Sequence, residues 1–246
     1  MAAPADRLDR PAFYALRSGG WRDLITLLHP PYTAWHLSYI ALGAAAAPLI
    51  HADRLAAALA AFALAVGVAA HALDELQGHP LQTRLSDRTL IGLAVAGLAG
   101  AVAIGVAGVL TVSVWLAPLV AAGAFLVLAY NLELAGGRFH TDGWFAVAWG
   151  GFPAFTGYFV NALTVRPAGL LVTIACCLLS VAQRRLSTPA RELRRRTAEV
   201  TGVQRLDGGE VRRLDAARLA EPLEGALSAL WLALVVLAVG LVAVRL

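Results

Sequence analysis

Long apolar runs separated by short polar segments dominate this sequence. A helix needs roughly twenty apolar residues to cross a membrane, and seven runs approach that length. They cover residues 32–51, 55–76, 88–108, 112–132, 143–163, 168–185 and 223–244. Most charged residues lie between the runs rather than inside them. This pattern predicts an all-α, polytopic membrane bundle of about seven transmembrane helices.

The polar segments divide the chain into four parts. We expect a cytosolic or interfacial N-terminal segment over residues 1–30 and a six-helix core over residues 31–185. An arginine-rich cytosolic loop over residues 186–221 and a seventh helix over residues 222–246 follow. Arginines and large apolar side chains mix between residues 10 and 28, which favours a helix lying in the membrane interface; a cytosolic tail is the alternative.

A second helix start is predicted inside the arginine-rich loop. Thr188 is a suitable cap, and Pro189 suits the first turn of a helix. Four arginines follow within that helix, at positions 191, 194, 195 and 196. Their side chains are expected either to rest on lipid headgroups or to bind phosphate, for which the guanidinium fork is suited.

Composition agrees with a membrane protein. Of the 246 residues, 59% are hydrophobic and 15% are charged, and the mean hydropathy is +0.69. Soluble domains carry about 45–50% apolar and roughly 25% charged residues. All 20 basic residues are arginine, and the formal net charge is +4. In a membrane protein this excess indicates loops that face anionic lipid, not nucleic-acid binding.

The arginines also predict an orientation. If the N-terminus is cytosolic, seven crossings place 17 arginines on the cytosolic side and only Arg54, Arg166 and Arg245 outside. Cytosolic loops of membrane proteins carry such an excess. We therefore expect insertion in the cell (inner) membrane with a cytosolic N-terminus and an external C-terminus.

Ionisable side chains cluster where the second run ends. His71 lies three residues before Asp74 and four before Glu75, so the three side chains can share a helical face. Ionisable groups are costly to keep near hydrocarbon and usually serve a function there. We therefore predict His71, Asp74 and Glu75 as catalytic residues, at a site that faces the cytosol.

Imidazoles and carboxylates at one membrane face also fit a metal site. The candidate ligands are His71, Asp74, Glu75, His79, Glu133 and His140, with His36 as a further imidazole. Such a set favours zinc or non-haem iron over magnesium. The alternative is that these side chains are only hydrogen-bonded at helix ends.

Several short stretches resemble motifs of the UbiA superfamily of membrane prenyltransferases. Leu28-His29-Pro30-Pro31 precedes the first run, where the family has a proline-containing motif. Asp74 matches one aspartate of the family's aspartate-rich motif, and Tyr130 matches a tyrosine that ends the fourth span. His79-Pro80-Leu81 and Arg84-Leu85-Ser86 match the segments that follow the aspartates. However, Ala70 and His71 stand where the family has asparagine and aspartate, and Gly78 stands where it has the last aspartate. The family's second aspartate motif is missing.

The resemblance implies a UbiA-like fold and transfer of a prenyl group from a prenyl diphosphate. Family members hold the diphosphate through magnesium. Magnesium needs several oxygen ligands, so the lost carboxylates put that step in doubt. Asp74 would be the surviving ligand or acid, while arginines would neutralise the phosphate directly. The expected substrate-binding residues are Arg84, Tyr130, Asn131, Arg184 and Arg185.

Three functions are therefore open. The first is a UbiA-like prenyltransferase or related isoprenoid-modifying enzyme. The second is a zinc- or iron-dependent membrane enzyme acting on a lipid. The third is a non-catalytic lipid-binding or scaffold protein, because a fold can persist after its active site is lost. In each case the expected partners are the bilayer and an isoprenoid or other lipid, with no nucleic acid.

Overall fold

The computed structural model describes residues 10–246, so residues 1–9 of the predicted N-terminal segment lie outside it. The elements in chain order are α1 (Trp21–Leu27), α2 (Pro30–Ala46), α3 (Ala52–Phe62), a π-helical segment (Ala63–Ala70), α4 (His71–Leu76), α5 (Asp87–Thr111), a 3₁₀ turn (Val114–Leu116), α6 (Ala117–Asn131), a short turn labelled α7 (Leu134–Gly137), α8 (Asp142–Phe145), a second π-helical segment (Ala146–Gly151), α9 (Phe152–Ala162), α10 (Pro167–Arg195), β1 (Gly202–Arg205), β2 (Val211–Leu214) and α11 (Ala216–Arg245).

Five helical segments are long and apolar enough to cross a membrane, rather than the predicted seven. They are Ala52–Leu76, Asp87–Thr111, Val114–Asn131, Pro167–Arg195 and Ala216–Arg245. The other two predicted runs are helical but fall outside this set. One is α2, with 17 residues, and the other is the stretch from α8 to α9, which the π-helical segment interrupts. The molecule is thus an α-helical bundle of the kind that fits a membrane.

Helices α2 and α9 pack with their backbones in contact. Gly43 of α2 and Gly157 of α9 lie where the two backbones touch, and a Cβ atom on either would collide with the partner helix's backbone. Trp35 and Tyr39 of α2 are fully buried beside Leu227 of α11. Close backbone approach through small residues is typical of helix packing in lipid, where van der Waals contact replaces the hydrophobic effect.

A π-helical segment around Trp149 precedes α9. It spans Ala146–Gly151, and Pro153 follows in the first turn of α9. Proline lacks the N–H that a regular helix would use, and π segments often mark functional sites. Gly150 packs against Ser180 of α10 with no room for a side chain. The interruption therefore fixes how Trp149 is presented to the interior.

The arginine-rich loop is shorter than predicted. α10 continues through Thr188 and Pro189 to Arg195, so no separate helix starts there. Residues 202–214 form an antiparallel hairpin in which Val203 lies opposite Arg213. Proline inside a helix is tolerated in membrane bundles because neighbouring groups satisfy the freed backbone. α10 thus extends past residue 186, and α11 already begins at Ala216.

Residues 10–28 fold over one end of the bundle. The predicted interfacial helix over residues 10–28 is wrong in extent, because only Trp21–Leu27 is helical. The buried Asp23 carboxylate accepts hydrogen bonds from Gly19 N at 2.8 Å and Arg84 N at 3.1 Å. These bonds tie the segment to the loop after α4. At the other end of the bundle, the Arg245 guanidinium donates to Ala45 O at 2.6 Å.

Candidate functional site

A cavity of ≈ 740 Å³ lies under the N-terminal segment, between the ends of α4, α6 and α10. We call it the polar cavity. Three arginines, four histidines, three tyrosines and one aspartate contribute to its wall. Asp74 and His71 of the predicted catalytic group line it, as do Tyr130 and Asn131. The polar motifs at the ends of the predicted spans therefore meet in one place.

α10 supplies the cationic side of the polar cavity. Gln183, Ser187, Arg191 and Arg195 recur at four-residue intervals and so lie along one side of the helix. The Arg191 Nε atom donates to Ser187 O at 3.3 Å, and the Arg195 Nε atom donates to Pro11 O at 2.9 Å. Neither arginine pairs with a carboxylate in residues 10–246. Their remaining guanidinium donors are therefore available to an anion.

Arg184 lines the same wall but is already paired. Its Nε atom lies 2.8 Å from Asp142 Oδ1, and its guanidinium lies 5.1 Å from the centre of the Phe145 ring. The Asp142 carboxylate is mostly exposed, whereas the Arg184 side chain is 16% exposed. Arg184 is thus held in place by an acidic group at the rim of the polar cavity.

The neighbouring carboxylates Asp74 and Glu75 have different surroundings. Asp74 lines the polar cavity and interacts electrostatically with Arg191 and Arg195. Glu75 is fully buried and accepts hydrogen bonds from Leu81 N at 2.9 Å, Thr83 N at 3.0 Å and Thr83 Oγ1 at 2.8 Å. Glu75 therefore holds the loop after α4, and only Asp74 faces the polar cavity.

Two histidines and a tyrosine form a stacked group at the opposite wall. The imidazole rings of His29 and His71 stack at 4.0 Å with an interplanar angle of 11°. Tyr14 Oη and His29 Nδ1 form a hydrogen bond of 2.9 Å. The Nε2 atom of His29 is buried and has no partner among the described residues. The group therefore presents an unsatisfied nitrogen at the edge of the polar cavity.

The backbone of His29 is also unusual. It adopts a left-handed conformation with φ 46° and ψ 58°, directly before Pro30. Such a conformation is costly for a residue with a side chain and clusters at functional sites. Burial, together with the neighbouring His71, lowers the pKa of His29 well below its usual value. Burial raises the pKa of Tyr14 well above its usual value, so both groups are neutral near pH 7.

Tyr130 and His140 close the polar cavity beside α6. Their rings stack at 4.4 Å, and His140 Nδ1 lies 3.0 Å from Tyr130 O. Asn131 is buried and donates from Nδ2 to Val127 O at 2.8 Å. Glu133 lies outside the cavity, with its carboxylate 3.9 Å from His140 Nδ1. These contacts orient aromatic surface, rather than charge, toward the interior.

Several predicted site residues lie elsewhere. The side chains of Arg84 and Arg185 are exposed and do not line the polar cavity. His79 bonds to Asp87 instead, with 3.0 Å between His79 Nε2 and Asp87 Oδ1. Glu75 is occupied by the loop that it holds. These positions lend no support to the predicted substrate-binding roles of Arg84 and Arg185. They also lend none to the predicted catalytic role of Glu75 or to the predicted metal-binding roles of Glu75 and His79.

The predicted metal ligands do not converge. Within residues 10–246, no group of three or more histidine, cysteine, aspartate or glutamate side chains could hold a metal ion. The reason is that Glu75 and His79 are engaged in other hydrogen bonds, while Glu133 lies outside the cavity. The predicted ligands are therefore not gathered into one metal site in this part of the chain.

An apolar groove of ≈ 980 Å³ adjoins the polar cavity. Helices α3, α5, α6 and α9 line it, together with both π-helical segments, and Arg54 marks its far end. Val66 and Trp149 line both the groove and the polar cavity. From Arg54 to Val66 the chain rises by about 18 Å at helical geometry. The groove is thus long enough for a branched or linear hydrocarbon chain.

Some residues of the polar cavity were not foreseen from the sequence. Ser187 and Tyr32 carried no motif, and Tyr14 was assigned to an interfacial helix. The four-residue spacing from Gln183 to Arg195 was visible, but the predicted helix start at Thr188 separated its members. Comparisons with protein-family models, curated proteins and solved structures found no match to this chain.

Proposed function

We propose that this protein is an integral-membrane, UbiA-like enzyme acting on a phosphate-headed isoprenoid or related lipid. The observation that carries the proposal is that an arginine-lined cavity adjoins an apolar groove at Val66 and Trp149. A lipid with an anionic head and a hydrocarbon chain matches this arrangement, because its charged part is followed by its apolar part. The head would lie among the arginines and the chain in the groove.

The arginines of α10 would do what a metal ion does in other enzymes of phosphate chemistry. A guanidinium binds phosphate oxygens through two parallel N–H donors and stays charged at any physiological pH. Arg191 and Arg195 have free donors, and Arg184 adds a third cation. Fixed cations at the leaving phosphate stabilise the negative charge that develops there. Prenyl transfer, the reaction implied by the resemblance, needs this stabilisation.

Asp74 would act on the second reactant. Its carboxylate is the acidic group in the wall of the polar cavity, and no hydrogen bond from a described side chain occupies it. A carboxylate placed there can accept a proton from an attacking hydroxyl or hold that hydroxyl in position. We propose this role for Asp74 and none for Glu75.

We further propose seven crossings with a cytosolic polar cavity. α2 and the stretch from α8 to α9 pack inside the bundle with the five long apolar helices. The N-terminal segment and Arg245 lie at opposite ends of the bundle, as an odd number of crossings requires. The arginine excess at the end that holds the polar cavity supports a cytosolic orientation.

Lipid that co-purifies with the protein tests the proposal. We expect mass spectrometry of protein purified in mild detergent to detect a phosphate-bearing lipid. Arg191→Gln and Arg195→Gln should each lower its amount about ten-fold, because a hydrogen bond to a charged group contributes about 1.5–3 kcal/mol. Arg185→Gln is the matched control, since Arg185 lies on α10 but is exposed. Equal amounts in all variants, or no phosphate-bearing lipid, would contradict the proposal.

A further inference from the structure

The charges around the polar cavity nearly balance. Arg184, Arg191 and Arg195 line it, but Asp142 pairs with Arg184 and Asp74 faces Arg191 and Arg195. Three guanidinium groups against two carboxylates leave one positive charge. His29 is neutral, because its pKa is lowered well below the usual value. The described residues supply no metal ligand group that could add further positive charge.

A phosphate monoester carries about −1.5 to −2 charges near pH 7, and a phosphodiester carries one. A diphosphate carries at least one more than the monoester. Leaving that charge unpaired beside Asp74, at the edge of hydrocarbon, costs free energy because few water molecules can solvate it. Resting on the proposed function, we infer that the polar cavity selects a lipid whose head bears a single phosphate over one that bears a diphosphate.

Uncharged donors and acceptors complete this head site. The Nε2 atom of His29 and the Oε1 atom of Gln183 are buried without partners in the described chain. His29 is 8% exposed and Gln183 is 3% exposed, and both line the polar cavity. Buried polar atoms are normally hydrogen-bonded. A phosphate oxygen would accept a hydrogen bond from His29 Nε2. A hydroxyl beside the phosphate would donate a hydrogen bond to Gln183 Oε1.

Competition binding on the full-length protein in detergent tests the inference. The probes are farnesyl monophosphate, farnesyl diphosphate, farnesol and inorganic phosphate, each with and without magnesium. Without magnesium, we expect the monophosphate to bind about ten-fold more tightly than the diphosphate. Farnesol and inorganic phosphate should both bind more weakly than the monophosphate, which separates a lipid head from free phosphate. Magnesium, which pairs with diphosphate in solution, should reduce the difference in affinity between the monophosphate and the diphosphate.

A charge variant sharpens this test. Asp142→Asn removes the carboxylate that pairs with Arg184 and should raise diphosphate affinity relative to the monophosphate by about ten-fold. Glu210→Gln, at an exposed carboxylate in the hairpin, is the matched control and should change neither affinity. If the diphosphate binds the wild type as tightly as the monophosphate without magnesium, the inference is wrong and the proposed function stands. If neither phosphorylated lipid binds, the proposed function fails as well.

Discussion

Two adjacent carboxylates at the end of α4 show how burial decides the role of a residue. Asp74 and Glu75 both carry a carboxylate, and the sequence predicted that the two would act together in catalysis. In the structure, all the hydrogen bonds of Glu75 go to the loop at Leu81 and Thr83, whereas Asp74 faces the polar cavity. The two residues therefore give a matched pair of variants.

We expect Asp74→Asn to lower lipid-dependent activity at least about ten-fold while the thermal midpoint is kept, because it removes a charge that faces a cavity. Glu75→Gln should lower the thermal midpoint, since an amide nitrogen cannot accept the backbone hydrogen bonds and leaves buried donors unpaired, at about 1–3 kcal/mol. A thermal-shift assay beside incorporation of labelled prenyl phosphates measures both. A fully active Asp74→Asn protein would remove the proposed role of Asp74.

His29 predicts a pH dependence of stability. Its pKa is lowered in the folded protein by burial and by His71, while the unfolded chain has the ordinary value of about 6.5. As the pH falls below that value, the unfolded state binds a proton that the folded state does not, so stability decreases. The thermal midpoint of the His29→Gln variant should therefore fall less on acidification than that of the wild type. An equal fall of the thermal midpoint in both proteins would show that His29 does not contribute to the pH dependence of stability.

At the scale of elements, glycines decide which helices touch. Among the glycines of α5, Gly97 lies against Leu64 and Ala69, and Gly105 lies against Val120. Gly100 approaches Leu64, while Gly92 is exposed with nothing within 4 Å of a Cβ position. Three of these glycines therefore lie in close helix contacts. The tightest backbone approaches, at Gly43 and Gly157, carried no special signal in the sequence.

Gly157→Ala should destabilise the bundle, because its Cβ would overlap the backbone of Ile40 in α2. Overpacking of this kind costs about 1–3 kcal/mol. Gly92→Ala is the control and should keep or raise the thermal midpoint, since alanine is the better helix former. The same thermal scan in detergent measures both. Equal midpoints for the two variants would mean that α2 and α9 are not in backbone contact.

At the scale of the whole molecule, the proposed seven crossings would place the hairpin and the C-terminus on opposite sides. We expect cysteines at positions 208 and 246 to react with a membrane-impermeant reagent from opposite sides of sealed vesicles. Position 208 is exposed at the hairpin tip, and Cys176 and Cys177 are first replaced by alanine. Labelling of both positions from one side would indicate an even number of crossings.

The polar cavity itself is a property of the assembled chain. Tyr14 comes from the N-terminal segment, Asp74 from α4, Tyr130 from α6 and Arg191 from α10. Residues more than a hundred positions apart meet there because the helices alternate in direction and end at the same face. No single stretch of sequence contains the site.

The sequence alone determined the helical class, the position of most apolar helices and the face where polar residues collect. The length of the apolar runs and the placement of arginines between them indicate helices that cross a membrane, because lipid excludes charge and unpaired backbone groups. Which of two adjacent carboxylates faces the cavity, and whether α10 passes through Pro189, was decided only by tertiary structure. Those outcomes depend on neighbours distant in sequence, such as the loop around Glu75 and the bundle that supports α10, and no local pattern records them.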